Sequence, residues 1–196
     1  MMFSFMEIIL ESDEPKREIP ADEFLKQVEK DGIRNFHLIK VTNANLRNLD
    51  LNDLVITQSD LRSCDFSQTS LLHANFQETC LKGTNFSGAF LAESNFHKAK
   101  LVGCNFSGVH GENMNLSHAN LRGANLTWAD LRGANLAKAT LQDVNLSYSN
   151  LEGANIGRGI LGATTLNMLQ LPAGTRVIRQ GWWRSKSGVK QEQQAE

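Results

Sequence analysis

Cysteine, proline and tyrosine are scarce in this chain: three, three and one among 196 residues. Cys64, Cys80 and Cys104 show no CxxC or Cys/His spacing, which argues against zinc, and three thiols do not make a disulfide framework. A reducing, cytoplasmic setting is therefore expected. Long apolar runs are missing too. Residues 1–10 are apolar but short, have no basic stretch before them and run into Glu11, Asp13 and Glu14, so neither a signal peptide nor a membrane partner is expected. Charge of one sign is absent in bulk: 20 Lys and Arg stand against 21 Asp and Glu, a formal net charge of -1. That balance lacks the basicity of a nucleic-acid binder, and no nucleic-acid partner is expected. A phosphate loop, a dinucleotide fingerprint and metal-ligand spacings are absent, so no cofactor and no metal are expected.

What the sequence has is a period of five. From Leu46 to Leu171, 25 of 26 residues taken at every fifth position are Leu, Ile or Phe, and the exception is Gly111. Two residues before each centre, from Ser59 to Thr164, stand small residues, with Met114 the sole exception. A helix needs apolar spacing near 3.6 and a plain strand near 2, so the chain must turn within every quintet. The centre and the small residue share the alternation of a short strand and point inward, the residue between them points out, and the other two make a corner. Gly83, Gly88, Gly103, Gly108, Gly123, Gly133 and Gly153 occupy the last place, where a positive φ is tolerated.

Quintets such as Ala119-Asn120-Leu121-Arg122-Gly123 and Ala129-Asp130-Leu131-Arg132-Gly133 resemble the A(D/N)LXX motif of the pentapeptide-repeat family. The resemblance covers roughly residues 34 to 173 and implies an all-β solenoid, a right-handed quadrilateral β-helix with four quintets per turn. The 28 quintets of that span would make about seven coils, a tube roughly 34 Å long at the β-sheet spacing. Arg34, Ile39, Leu49 and Leu54 occupy places meant for small residues, so distortion of the first coil is expected.

Three segments follow from this register: 1–33, an N-terminal stretch ending in a capping helix; 34–173, the β-helix; and 174–196, a C-terminal cap and disordered tail. The helix is expected over residues 20–32, with Phe24, Leu25 and Val28 on one face and Gly32 at its end. The following Gly32-Ile33-Arg34-Asn35-Phe36 is similar to the entry of stand-alone, cyanobacterial-type family members. At the other end Val177, Ile178, Trp182 and Trp183 can cover the last coil.

Positions 20 apart lie above one another, so columns can be read directly. Asn75, Asn95, Asn115, Asn135 and Asn155 should form one amide ladder and Asn85, Asn105, Asn125 and Asn145 another. Inside, Phe76 and Phe96 should stack on one side, with Phe66, Phe86 and Phe106 opposite, giving an aromatic N-terminal half and a Leu core beyond. Cys64 and Cys104 point inward as core filler, and Cys80 is expected to be exposed. Met114 is expected to fill the volume that a Leu at Gly111 would take, with a ligand notch beside His110 as the other reading. His37, His73, His97, His110 and His118 are expected not to converge with Ser, Cys or carboxylate, and an outward-facing convex tube forms no cleft, so the chain is read as no enzyme.

Charge is sorted by side. Arg34, Lys40, Arg62, Lys82, Lys98, Lys100, Arg122, Lys138 and Arg158 share two faces with only Asp60, Glu78 and Asp143, whereas Asp50, Asp53, Asp65, Glu93, Glu112, Asp130 and Glu152 share the other two with Arg47 and Arg132. Glu112, Arg132 and Glu152 should alternate as a charge ladder. Trp128, Tyr148 and Met168 occupy one corner column, turning it from polar to apolar and aromatic. The candidate interaction surface is Trp128, Tyr148 and Met168 with Lys98, Lys100, Arg122, Lys138 and Arg158; the corner strip could instead be covered by Trp182 and Trp183. Function is expected to be that of a protein-interaction scaffold for a protein partner of unknown identity, with homo-association possible. The alternative is a DNA-mimicking binder of DNA gyrase, like the family's quinolone-resistance members.

Overall fold

The computed structural model describes residues 15–157. Its elements are β1 (Arg17–Glu18), α1 (Ala21–Glu29), β2 (Asn35–His37), β3 (Ile39–Lys40) and β4 (Val55–Thr57). β2 pairs in parallel with β4, Asn35 against Val55, and the same 20-residue offset then recurs at every fifth residue from Lys40↔Asp60 to Asn135↔Asn155. A parallel pairing that returns every 20 residues and occurs four times per return is a four-sided solenoid. The strands have shrunk to single bridges because each side holds only one inward-outward-inward triplet before the chain turns.

The corners share a positive φ, and most close with one hydrogen bond. In the quintet around Leu81 the N–H of Thr84 donates to the Leu81 carbonyl at 3.0 Å, and Gly83 between them takes φ +69°. That is the conformation a type II turn needs at its third residue. The corner is not reserved for glycine, however. Asn48, Gln68, His118, Lys138 and Tyr148 all adopt φ between 58° and 63° there, because the pairings on both flanks leave the corner no other conformation.

The core follows the expected columns. Phe66, Phe86 and Phe106 stack with centroids 5.2 and 4.9 Å apart, Phe76 and Phe96 stack at 5.0 Å, and rings from the two sides meet edge to face at 5.6 to 6.1 Å. Aromatic pairs of this geometry add about 0.5–1.5 kcal/mol beyond the area they bury. Polar groups at the small-residue place are satisfied inside the tube: the hydroxyls of Thr69, Thr79 and Thr84 donate to the carbonyls of Leu46, Ile56 and Leu61 at 2.6 to 2.9 Å. The thiols of Cys64 and Cys104 do the same toward Val41 and Leu81. Burial pushes these thiols up to about 11 and about 12. Cys80, expected to be exposed, is half-buried.

Outside, most ladder asparagines work twice. The carbonyl oxygen accepts the N–H two residues on, as from His97 to Asn95, and the amides of Asn95, Asn105, Asn115, Asn125 and Asn155 also donate to the Asn one coil earlier, while that of Asn85 donates to Asp65. Where Ile39 and Leu54 replace small residues the first coil departs from the pattern: both are buried, Leu49 is half-buried, and two- and three-residue strands stand in place of single bridges. α1 lies beside this coil. Phe24 and Val28 are buried, the Phe24 ring is 4.9 Å from that of Phe36, and the Arg34 guanidinium donates to the Val28 carbonyl at 2.6 Å. The coil expected beyond Gly157 and the C-terminal cap, with Val177, Ile178, Trp182 and Trp183, lie outside the described residues.

Candidate functional site

In one coil the four faces are residues 74–78, 79–83, 84–88 and 89–93, called here first to fourth. Each corner column runs along an edge between two of them. The edge between the third and fourth faces carries Asn48, Gln68, Gly88, Gly108, Trp128 and Tyr148 in ascending order. The indole and phenol rings are parallel, with centroids 4.4 Å apart and planes 6° apart, yet Trp128 is 67% and Tyr148 47% exposed. Bulky residues at a positive φ are costly, by roughly 1 kcal/mol or more each. These two stand at 61° and 63° without contributing to the core.

The fourth face holds a second stack that the column reading missed. Phe90 and His110 lie 4.9 Å apart with planes 8° apart, and Phe90 is 45% exposed. The signal was present in Gly88-Ala89-Phe90-Leu91, where Phe takes the outward place that Asn or Asp usually fills. His110 pairs along the axis with Asp130, two residues from Trp128, so both exposed aromatic stacks lie on one side of the tube.

A charge cluster adjoins the second stack. The Arg132 guanidinium donates to Asp130 at 2.7 and 2.9 Å and to Glu112 at 3.0 Å. The hydrogen bond from Arg132, opposed by desolvation, holds the Asp130 carboxyl below its ordinary range. The expected Glu112-Arg132-Glu152 ladder holds from Glu112 to Arg132 and is corrected at its other end. Strand alternation puts Asp130 and Arg132 on the same outer surface two residues apart, and Asp130 takes the place at Arg132 expected for Glu152. Glu93 lies 3.5 Å from His73 on the same side.

The basic candidates sit elsewhere. Lys98, His118 and Lys138 share a column with Glu78 on the edge between the first and second faces, diagonally opposite the aromatic column. Lys98 pairs with Glu78 at 3.5 Å. His118 is held below its usual pKa by desolvation first, then by Lys138, His97 and Lys98. Lys100 and Arg122 lie on the second face, with Arg122 3.9 Å from Asp143. The candidate residues therefore divide between two opposite edges and the second face instead of forming one patch. Arg158 and Met168 lie outside the described residues.

The expectation that no histidine meets a Ser or carboxylate is corrected as well. His97 Nδ1 is 2.8 Å from Ser117 Oγ, and His73 reaches Glu93, because both pairs occupy one column 20 residues apart. Ser117 is buried and its hydroxyl also bonds Asn115 at 2.7 Å, an arrangement that ties coils together. A shallow groove of about 490 Å³ is lined by Lys40, Thr42, Asn43, Arg62, Ser63, Lys82 and Gly83. Two of its cations are paired, Lys40 with Glu18 at 3.1 Å and Arg62 with Asp60 at 2.8 Å. Among the described residues no group of three His, Cys, Asp or Glu could hold a metal, and no helix is long and apolar enough to cross a membrane.

The sequence profile of a family described as pentapeptide repeats matches the chain in eight copies, over residues 35–68, 50–88, 69–108 and 119–158, more than half of its length. No curated protein matches it in sequence. Among solved structures it is similar to a pentapeptide repeat protein of the Arabidopsis thaliana thylakoid lumen, at 27% identity over 52% of this chain and 68% of that one, with a TM-score of 0.33. It is also similar to HetL of the cyanobacterium Nostoc, a pentapeptide repeat protein involved in heterocyst differentiation regulation, at 22% identity over 80% and 99%, TM-score 0.22. QnrB1, a plasmid-mediated fluoroquinolone resistance protein, matches at 14% identity over 79% and 89%, TM-score 0.37.

Proposed function

Because the chain belongs to the pentapeptide-repeat family, whose members are right-handed quadrilateral β-helices that typically serve as binding or structural proteins, we propose that it is a non-enzymatic scaffold that presents side-chain ladders to a protein partner. On this reading the tube has about seven coils over residues 34–173, α1 caps its first coil, and the protein works in the cytoplasm without nucleic acid, membrane or cofactor. The observation that carries the reading is the Trp128–Tyr148 stack, two exposed rings that the core does not use. Exposed clusters of Trp and Tyr have the composition of interface centres.

Replacing Trp128 and Tyr148 together by Ser tests it. Stability should change by no more than about 1 kcal/mol, since only one exposed ring pair is lost. Partners pulled down from the native cytosol by the wild type should be lost, with an affinity cost of about 2 kcal/mol or more. Fold-back of Trp182 and Trp183 onto the strip predicts a clearly lower melting temperature instead. A double variant that melts normally and keeps its oligomeric state and every captured partner removes this edge from consideration.

The DNA-mimic alternative needs a broadly negative surface, and here the acidic fourth face is opposed by Lys82, Lys98, Lys100, Arg122 and Lys138. At micromolar concentration the protein should neither inhibit nor protect DNA gyrase in a supercoiling assay. A dose-dependent effect in either direction would put the gyrase reading first.

A further inference from the structure

The aromatic stack is open at one end. Tyr148 covers one face of the Trp128 indole, and the other face looks down its column toward Gly108, where an added Cβ would meet no atom within 4 Å. One coil further, the space over Gly88 is already taken by the side-chain amide of Gln68. The column therefore has a filled level, an empty level at Gly108 and then the indole. With coils about 4.8 Å apart, the empty level admits one flat group stacked on the ring and little else.

Charge selects the occupant. The fourth face carries Glu93, Glu112, Asp130 and Glu152 against Arg132 alone, a net negative charge; Asp130 is the acid nearest the gap, Asp130 and Glu112 share Arg132, and Glu93 lies on the far edge against His73, while the third face beside the gap is lined by neutral Ser87, Ser107, Thr127, Asn105 and Asn125. A phosphate or carboxylate is repelled here, and a cation is attracted. An ammonium is compact and strongly hydrated, whereas a guanidinium is planar, less hydrated and stacks on aromatic faces while its edge donates hydrogen bonds.

We propose that the Gly108 level is a receptor for an arginine side chain of a partner protein, stacked on the free face of Trp128 with its charge balanced by the acidic fourth face. This rests on the reading of the edge as an interaction surface and names what it recognises.

The test uses the full chain at low ionic strength with fluorescein-labelled Gly-Arg-Gly-Arg-Gly-Arg and its lysine counterpart, read by anisotropy. The arginine peptide should bind about two- to fivefold more tightly than the lysine peptide, the range of one exposed cation–π contact. Two variants should abolish that preference without lowering the melting temperature. Gly108→Asn fills the gap with a residue that takes the same backbone at Asn48 and Asn113; Trp128→Leu keeps apolar bulk and removes the ring. Equal affinity for the two peptides, or an arginine preference that survives Gly108→Asn, overturns the receptor. The broader interface reading still stands in that case if the Trp128→Ser, Tyr148→Ser double variant loses its native partner, and falls with it if nothing is lost. Concentration-dependent self-association that Gly108→Asn removes, without peptide binding, gives the gap to a second copy of the chain and also overturns the proposal.

Discussion

Leu121→Lys is expected to leave the protein unable to fold. Leu121 is fully buried at the centre of a quintet, with Leu101 and Leu141 one coil before and after it, also buried. A lysine there points into an interior built from Leu, Ala, Phe and hydroxyls already committed to backbone carbonyls. Every carboxylate near this coil is outside: Asp130 binds Arg132 and Asp143 faces Arg122. An unpaired ammonium in such surroundings costs several kcal/mol after relaxation, against a total stability of about 5–15 kcal/mol for a domain. The tube offers no local retreat, because each coil is ordered only by its two neighbours and a coil opened at residue 121 exposes the edges of both. The measurement is soluble yield and the circular dichroism melt, with Arg122→Lys on the adjacent outward place as the control that should leave both unchanged. A soluble Leu121→Lys protein with an unaltered β-rich melt would mean that the centres of the quintets do not face the core.

That inward register was legible in the sequence because a strict period converts position into direction. Once 20 residues close a coil, the Phe66/Phe86/Phe106 and Phe76/Phe96 stacks and both Asn ladders follow without any knowledge of rotamers. What the columns could not supply lies across them. The Asp60–Arg62 and Asp130–Arg132 pairs join residues two apart within one quintet, where alternation along the strand, and not stacking, brings the groups together. Reading only along the axis paired Arg132 with Glu112, which holds, and with Glu152, and missed Asp130. Phe90 escaped for a different reason. The outward strand place is mostly Asn or Asp and was expected to be polar, so a single Phe there, at Phe90, went unread. The division of Lys98, Lys100, Arg122 and Lys138 from the aromatic edge needed the square cross-section, in which neighbouring quintets in sequence lie a quarter turn apart.

Gly111 and Met114 provide the sharpest test of how this core is filled. A Cβ at Gly111 would lie 2.6 Å from Met114 Sδ and 3.3 Å from Leu131 Cδ2, so the methionine, fully buried, already occupies the volume that belongs to a central leucine. Its own place is otherwise small, Ser94 one coil before and Ala134 one coil after. The thioether chain thus leaves a place for a small side chain and bends into one for a large side chain. Gly111 does not carry the positive φ of the corners, and its backbone accepts an ordinary residue. Gly111→Leu alone should overpack the site and lower stability by about 1–3 kcal/mol. Met114→Ala alone should leave a cavity over Gly111 and lower it by about 2–5 kcal/mol. Together they restore a regular pair of quintets, with Leu at the centre and Ala two places before the next. The double variant should therefore be more stable than either single one, with a coupling of at least about 2 kcal/mol, well beyond the few tenths seen for independent sites. Urea unfolding of the four proteins decides it. If the two losses simply add, the side chains do not share a volume, and the empty centre beside His110 must be explained as a notch kept open for something other than methionine.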